Sequence, residues 1–313
     1  MEISAKLKER FCKDCNIPIK IFQEPYFMDR MNLYDQFYNT MNQWDTFVTE
    51  LEKYKYEQDY YEDYNRIKDA AINDIKATEA YQRFNNEDMN KFAITHKGLP
   101  GKDIFHPSND GRKFISIDMK KANFSALKYY DSNMFYESKS WEDFIRRYTD
   151  NEHIINSKYI RQVILGNCNP KRHITYEKHL MDTLLDILET FITRQERFAN
   201  NKLIFFSNDE IVYDVNDMEE RVVEEFLKEI TCLTDRLLIP FKVELFMLRK
   251  IKGTDGYCKE FNNGSAEFKC LDNYMLPFVM RKVLNQEVTE NDKVFYHEGL
   301  LAKFIEIPEI KNI

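Results

Sequence analysis

Residues 114–131, FISIDMKKANFSALKYYD, contain the clearest change of pattern in the chain. The first five residues are mostly apolar and end in an aspartate, Asp118, which predicts a short buried strand with a carboxylate at its end. The residues that follow predict a helix, in which Ala122, Ala126 and Leu127 are the packing positions. Residues 114–131 therefore predict a strand that ends in an acidic residue and runs directly into a helix.

A β-hairpin and a further strand complete the predicted sheet. Residues 202–215 contain two apolar runs separated by Ser-Asn-Asp-Glu, a polar turn sequence. Residues 219–233 predict an amphipathic helix, and residues 239–248 are rich in strand-forming residues. The order strand, helices, hairpin, helix, strand predicts an α+β fold, in which helices pack on one face of an antiparallel sheet.

The chain divides into three predicted regions: a helical, thumb-like N-terminal region at 1–110, a sheet region at 111–250 and a small helical C-terminal extension at 251–313. The first boundary follows from the loop at 96–113, which contains three Gly and two Pro. The C-terminal region is expected to contain helices near 273–284 and 292–304.

The composition is typical of a helix-rich globular protein without a membrane anchor. Of the 313 residues 43% are apolar, whereas Gly and Pro number only 8 each. No run of 18 apolar residues occurs, and the N-terminal sequence MEISAKLKERF lacks the apolar segment of a signal peptide. We therefore expect a cytoplasmic protein with no membrane partner and reduced thiols. The many Lys, Asn, Ile and Tyr residues are compatible with an AT-rich viral or phage genome.

The charge of the chain is unevenly distributed. The net charge of −8 argues against nucleic acid as a partner. Residues 57–74 are acidic, but residues 158–178 contain five Lys and Arg and a single acidic residue. A locally basic surface can bind phosphates on an acidic protein. The alternative is that both segments are ordinary solvated surfaces.

Acidic residues at strand ends give the strongest chemical signal. Asp118 ends the first predicted strand, and Asp209 and Glu210 lie at the tip of the hairpin. A carboxylate at the end of a buried strand is costly unless it is paired or binds a metal. Two aspartates on adjacent strands could hold two divalent ions about 3.5–4 Å apart, and Mg²⁺ suits such a site. The alternative is that Asp118 caps the following helix and residues 208–210 form only a polar turn.

These segments resemble the palm of family A, polymerase I-like, nucleic-acid polymerases. FISIDMKKANFSALKYYD resembles motif A and SNDEIVYDV resembles motif C, and the helix and Pro-containing strand at 218–245 follow in the family's order. The resemblance covers about 140 residues. It implies that Asp118 and Asp209 are catalytic ligands of two Mg²⁺ ions, with Mn²⁺ as a substitute. It also implies that Glu210 is an accessory carboxylate.

Two positions depart from the family pattern. Asn123 stands where these DNA polymerases commonly have a Glu that helps to exclude ribose. It is predicted to contact the nucleotide, and the type of sugar is left open. Asn208 replaces the His of motif C and is predicted to hydrogen-bond a primer phosphate.

The family's fingers motif is absent as such, and NSKYIRQVILGNCNPKR is the nearest basic helix. Its cations, predicted to contact a nucleoside triphosphate, are Lys158, Arg161, Lys171 and Arg172. Tyr159 is predicted to stack on a primer or template base. The 91 residues between Asp118 and Asp209 (209 − 118) leave room for abbreviated fingers at 141–200. The alternative is a surface helix with solvated cations.

The predicted function is nucleotidyl transfer to a nucleic-acid 3′-hydroxyl, template-directed or terminal, by a compact DNA polymerase-like enzyme. Its partners would be a primer or template and nucleoside triphosphates, and abbreviated fingers favour specialised synthesis in DNA replication. A second hypothesis is a catalytically inactive palm that serves as a scaffold for nucleic acid or a replication protein. A third is a helix-rich interaction protein whose local similarity is accidental.

A zinc site at the N-terminus is a weaker alternative. Cys12 and Cys15 have the spacing of a zinc-binding pair. A structural zinc needs two more ligands, and only Cys258 and Cys270 offer a second, distant pair. Buried or solvent-facing thiols without a metal are therefore the favoured interpretation.

Overall fold

The sheet consists of β1 (Lys113–Met119), β2 (Lys202–Phe206), β3 (Glu210–Asp214), β4 (Phe241–Lys250), β5 (Tyr257–Phe261) and β6 (Ala266–Lys269). In the computed structural model, which describes residues 3–101 and 104–311, its order is β2-β3-β1-β4-β5-β6 and every pairing is antiparallel. Residues 102–103 of the predicted loop lie outside the described residues. The predicted α+β fold with an antiparallel sheet is confirmed.

Twelve α-helices, together with short 3₁₀ turns, accompany the sheet in the described residues: α1 (Ala5–Asp14), α2 (Tyr26–Tyr38), α3 (Thr40–Leu51), α4 (Glu57–Ala77), α5 (Glu79–Asn86), α6 (Ala122–Tyr130), α7 (Trp141–Ile145), α8 (Glu152–Asn156), α9 (Lys158–Gly166), α10 (Pro170–Thr193), α11 (Glu220–Thr234) and α12 (Leu276–Val283). No helix in these residues is long and apolar enough to cross a membrane.

The two faces of the sheet have different surroundings because side chains alternate along a strand. Ile115, Ile117 and Met119 of β1 point into the main core, where side chains of α6, α10 and α11 pack against them. The opposite face carries Asp118 and its cross-strand partner Glu210. We call this opposite face the carboxylate face.

A smaller apolar cluster occupies one end of the carboxylate face. Phe114, Val212 and Phe246 are buried there, and Ile104 and Phe105 pack on them from the segment before β1. Phe114 and Asp118 are four residues apart on β1, about 13 Å along the strand. The apolar cluster therefore covers the start of β1, and Asp118 lies at the other end.

The N-terminal region is helical, as its apolar spacing predicts. Leu33, Trp44 and Phe47 are buried in α2 and α3, and they belong to the same continuous core as Ile115 and Ile117 of β1. The helical region and the sheet therefore share one core.

The C-terminal region differs from the prediction in two ways. The sheet continues beyond residue 250 into β5 and β6, so the predicted boundary at 250 falls inside it. The predicted helix near 273–284 is confirmed as α12, but the one near 292–304 is wrong. That segment forms a hairpin of β7 (Val294–His297) and β8 (Leu300–Lys303). Its turn, Glu298-Gly299, has positive φ at both residues, as a two-residue hairpin requires.

Candidate active site

Asp118 lies between an acidic residue on one neighbouring strand and a basic residue on the other. Its Cα pairs with that of Glu210 on β3 and with that of Lys242 on β4. Direct cross-strand partners lie on one face with Cβ atoms about 5 Å apart. The backbone N–H of Met119 also donates to the carbonyl of Asp209 at 2.8 Å. The end of β1 is thereby held against the turn that contains Asp209.

Ser207 organises that turn. Its hydroxyl donates to Oδ1 of Asp209 at 3.0 Å and accepts from the backbone N–H groups of Asp209 and Glu210 at 3.3 and 3.0 Å. The Ser207 N–H donates to the carbonyl of Glu210 at 2.9 Å. The Ser-Asn-Asp-Glu sequence therefore forms the predicted turn and presents Asp209 beside β1.

The carboxylates repel one another in a partly buried place. Burial, followed by the charges of Asp209 and Glu210, raises the pKa of Asp118 to about 6, and Lys242 and Lys259 oppose this shift. Burial also raises the pKa of Glu210, although Lys259 opposes it and Asp209 adds to it. The negative charge at this end of the sheet is therefore not fully compensated by the protein's own cations.

Glu210, unlike Asp118, has the ammonium group of Lys259 close to its carboxylate. The Lys259 ammonium lies 3.8 Å from Oε1 of Glu210 and 4.5 Å from the centre of the Phe246 ring, and the residue is 8% exposed. Glu210 is thus partly neutralised by a fixed cation. Lys259 was not predicted as a site residue, because its position depends on the pairing of β4 with β5.

The three carboxylates do not form one tight group of ligand atoms. Asp118, Asp209 and Glu210 do not belong to any group of three or more ligand atoms that lie within 4.8 Å of one another in the described residues. Mg²⁺ is typically bound by one or two carboxylates together with substrate phosphates and water. Asp118 and Asp209 would therefore supply two of the ligand oxygens, and substrate and water would supply the others.

Asn208 contacts α10 through a buried relay. Its amide donates to Oε2 of Glu177 at 2.8 Å, and Oε1 of Glu177 lies 3.0 Å from Nδ1 of His173. Nε2 of His173 lies 3.3 Å from the carbonyl of Leu165 at the end of α9. The side chain predicted to hold a primer phosphate therefore anchors the turn to the helices.

Replacing Glu177 with Ala is expected to lower the free energy of unfolding by about 2–3 kcal/mol, because buried polar groups on His173 and Asn208 would lose their partner. Urea unfolding measures the loss. Glu177→Gln, which keeps the shape of the side chain, should lose less. Glu229→Ala, at an exposed position of α11, is the control and should change little. Equal losses in Glu177→Ala and Glu229→Ala would contradict the relay.

Lys158 and Tyr159 line a cleft of about 740 Å³ between α1, α2, α9 and β6. Lys158 is exposed. Arg10 packs its guanidinium between the rings of Tyr159 and Tyr64, at 4.9 and 5.0 Å from their centres. Tyr159 is therefore already stacked on a cation of α1, rather than presented alone as a stacking surface.

Arg161 of α9 is half-buried and close enough to Glu142 to feel its charge. Burial lowers its pKa and the charge of Glu142 opposes the shift, and its Nε has no hydrogen-bond partner. Glu142 pairs with Lys121 at 2.5 and 2.6 Å, three residues after Asp118 in the chain. Asn123, in the first turn of α6, is half-buried and accepts from the N–H of Phe124 at 2.9 Å.

The two basic residues in the first turn of α10 have different surroundings. Lys171 is exposed. Arg172 donates to the backbone carbonyls of Phe84 and Glu87, so it stabilises the end of α5 instead of standing free for a phosphate. Among the described residues, no hydrogen bond or ion pair joins the four predicted cations to Asp118 or Asp209.

In the described part of the chain, Cys12 and Cys15 belong to no group of three or more potential metal ligands within 4.8 Å of one another. Cys12 is buried and Cys15 is partly buried. Burial raises the pKa of the Cys12 thiol to about 12 and raises that of Cys15 as well. Thiols with raised pKa values are poor metal ligands.

No protein-family model matches this chain, and no curated protein matches it. The resemblance to a family A palm therefore rests on the local patterns described above.

Proposed function

We propose that this protein is a nucleotidyltransferase of the polymerase type, which adds nucleotides to a nucleic-acid 3′-hydroxyl. The proposal rests on one observation. Asp118 at the end of β1 and the turn with Asp209 and Glu210 lie side by side on the carboxylate face, while the helices pack on the other face. The sequence signals on β1 and on the hairpin, 91 residues apart, thus meet at one place.

Divalent cations fit the donor set of this site. The oxygens belong to carboxylates, which Mg²⁺ prefers, and burial and mutual repulsion raise the pKa of Asp118. Two bound Mg²⁺ ions would supply activation of the attacking hydroxyl and stabilisation of the leaving pyrophosphate. Asp118 and Asp209 would provide ligand oxygens. Glu210, held by Lys259, would act as a neighbouring carboxylate. Since protons and Mg²⁺ compete for Asp118, the Mg²⁺ concentration that half-saturates the site should fall as the pH rises through about 6.

The cleft beside α9 is the place that we propose for a phosphate-rich partner. Four lysines line it: Lys13, Lys20, Lys158 and Lys269. Its wall on β6 also contains Glu267, whose Cα pairs with that of Lys259 next to Glu210. Lys13 and Lys269 pair with Glu9 and Glu267 of the same cleft at 2.7 and 3.0 Å. A primer, template or nucleoside triphosphate would therefore bind beside Lys20 and Lys158, and the pairing of β5 with β6 links this cleft to Glu210. Arg161, Lys171 and Arg172 are not needed for this arrangement.

A primer-extension assay tests the proposal. Labelled primer, alone or annealed to a template, is incubated with the protein, dNTPs or NTPs, and Mg²⁺ or Mn²⁺. Extension is expected with the natural sequence and should fall by about 10³-fold or more in Asp118→Ala and in Asp209→Ala. Asp217→Asn, on the exposed loop after β3, is the matched control and should keep full activity.

The other outcomes separate the competing functions. Absence of extension with tight nucleic-acid binding that is equal with and without Mg²⁺ would overturn the enzyme and favour the scaffold of the second hypothesis. Absence of both extension and binding would overturn the polymerase-type function altogether. Extension that survives in Asp118→Ala would place the chemistry elsewhere in the molecule.

A further inference from the structure

A second cluster of metal-binding side chains lies on α10, apart from the carboxylate face. Asp182, Asp186 and Glu189 follow one another at spacings of four and three residues, which places them on one side of the helix. His96, from the segment before β1, lies against them. In the described residues, His96, Asp182 and Asp186 are the one group of three or more potential ligands within 4.8 Å of one another.

Asp182 fixes the orientation of the imidazole. Its Oδ1 lies 3.0 Å from Nδ1 of His96 and accepts from the His96 backbone N–H at 3.1 Å. Its Oδ2 accepts from the backbone N–H and the hydroxyl of Thr95 at 2.7 and 2.8 Å. The side chain of Asp182 is 3% exposed. A buried carboxylate that binds Nδ1–H leaves Nε2 as the free ligand nitrogen, as in carboxylate–histidine–zinc triads.

Nε2 of His96 faces two exposed carboxylates at ligand spacing. It lies 3.4 Å from Oδ1 of Asp186 and 3.3 Å from Oε2 of Glu189. In a tetrahedral zinc site with bonds of 2.0–2.2 Å, neighbouring ligand atoms are about 3.3–3.5 Å apart. The two separations therefore match two edges of such a tetrahedron, whereas Glu189 lies outside the group of ligand atoms that are all within 4.8 Å of one another. Because the side chains of Asp186 and Glu189 are 58% and 50% exposed, they can rotate to close the third edge around an ion.

We propose that His96, Asp186 and Glu189 bind a divalent transition-metal ion of the zinc type, with Asp182 as the residue that orients His96. One nitrogen and two carboxylate oxygens leave a fourth position for water. The ion would fasten the segment that contains Thr95 and His96 to α10. This site is independent of the proposed nucleotidyl transfer, because it shares no residue with the carboxylate face.

The competing explanation is an ion pair without metal, in which a protonated His96 is surrounded by acidic groups. Burial opposes the charge of His96, but Asp182 and Glu189 outweigh burial and raise the pKa of the imidazole. A metal ion would replace that proton. The two explanations therefore differ in whether Co²⁺ or Zn²⁺ binds at neutral pH.

Titration of the full chain with Co²⁺, followed by visible absorption, distinguishes them. We expect one Co²⁺ per chain with the intense absorption of a tetrahedral site, displaced by Zn²⁺. The double variant Asp186→Asn/Glu189→Gln should weaken binding at least tenfold while it keeps the bonds between Asp182 and His96, so it should still fold. His297→Gln, an exposed His beside Glu298, is the control and should bind as the natural sequence does.

Three results would overturn the site. The first is the absence of Co²⁺ absorption in the natural sequence, which would leave the ion pair alone. The second is Co²⁺ binding by the double variant that is as tight as binding by the natural sequence, when the two proteins unfold at the same temperature in EDTA. The third is a thiolate-to-cobalt charge-transfer band, which would place the ion at cysteines. Because the readout is metal binding, none of these results depends on whether the protein transfers nucleotides.

Discussion

Replacing Asp118 with Asn is expected to abolish nucleotidyl transfer and, at the same time, to make the metal-free protein more stable at pH 8. The rate should fall by about 10³-fold or more, since metal stabilisation of the transition state is worth several kcal/mol. The free energy of unfolding should rise by about 2 kcal/mol. The two effects have opposite signs because the same repulsion that destabilises the fold prepares the site for a cation.

The pH dependence follows from the direction of the shift. The folded state raises the pKa of Asp118 from its ordinary value of 3.8 to about 6. Between these values the folded state binds more protons than the unfolded state, so stability falls as the pH rises. Two pKa units correspond to about 3 kcal/mol, which partial solvent access reduces to about 2. Near pH 4, close to the ordinary pKa of 3.8, most of this effect is lost, and Asp118→Asn should change the free energy of unfolding by less than about 1 kcal/mol.

Urea unfolding at pH 4 and pH 8, with EDTA, measures this difference. Mg²⁺ should raise the thermal midpoint of the natural sequence, because it binds only the folded state, and should raise that of Asp118→Asn much less. Asp217→Asn, whose side chain is 74% exposed, should behave as the natural sequence under all conditions. An Asp118→Asn variant that is less stable at pH 8 would show that Asp118 has a structural partner instead of a repulsive environment.

The elements that bear the candidate site were predictable because their signals are local. The apolar run before Asp118 and the polar turn at 207–210 each specify a strand end without reference to distant residues. Their meeting on one face follows once β1 pairs with β3. The position of Lys242 was not predictable, because it depends on the pairing of β4 with β1, which lies far away in sequence. The position of Lys259 depends on β5, a short strand that was not predicted.

The partners of the predicted basic residues could not be predicted from the sequence. A Lys and Arg pattern gives the charge of a helix but not the partner of each side chain. Arg172 is used by the carbonyl groups at the end of α5, and Tyr159 is stacked on Arg10 from α1. Likewise, β5 and β6 are only five and four residues long, so their membership in the sheet could be seen only from the pairing with β4.

Replacing Asp292 with Ala is expected to lower the free energy of unfolding by about 3–5 kcal/mol. Its carboxylate is fully buried and accepts from Nη1 of Arg30 at 2.9 Å and from Nε of Arg281 at 3.0 Å. Arg30, 4% exposed and located on α2, also donates to the carbonyls of Asn291, Asp292 and Val294 at 3.0–3.1 Å. Without Asp292, two guanidinium groups would remain in a poorly solvated place without their carboxylate.

Urea unfolding of Asp292→Ala, Arg30→Ala and the double variant measures the coupling between these two side chains. The double variant should lose at least 1 kcal/mol less than the sum of the single losses, because each single variant leaves an unpaired charge. Arg221→Ala, which breaks an exposed pair with Glu225, is the control and should cost about 0.5 kcal/mol or less. Additive losses would mean that Arg30 is held by the carbonyl groups alone.

The position of this pair determines how the activity should be tested. Arg30 belongs to the N-terminal helices, whereas Asp292 lies beyond the last strand of the sheet. A chain cut after residue 250 would lose Asp292 together with β5 and β6, and with β5 the Lys259 ammonium beside Glu210. A large loss of stability in Asp292→Ala would therefore mean that residues 251–311 belong to the same folding unit as the carboxylate face. Point substitutions in the full chain are then the valid test of the site, and an inactive truncated protein would carry no information about Asp118.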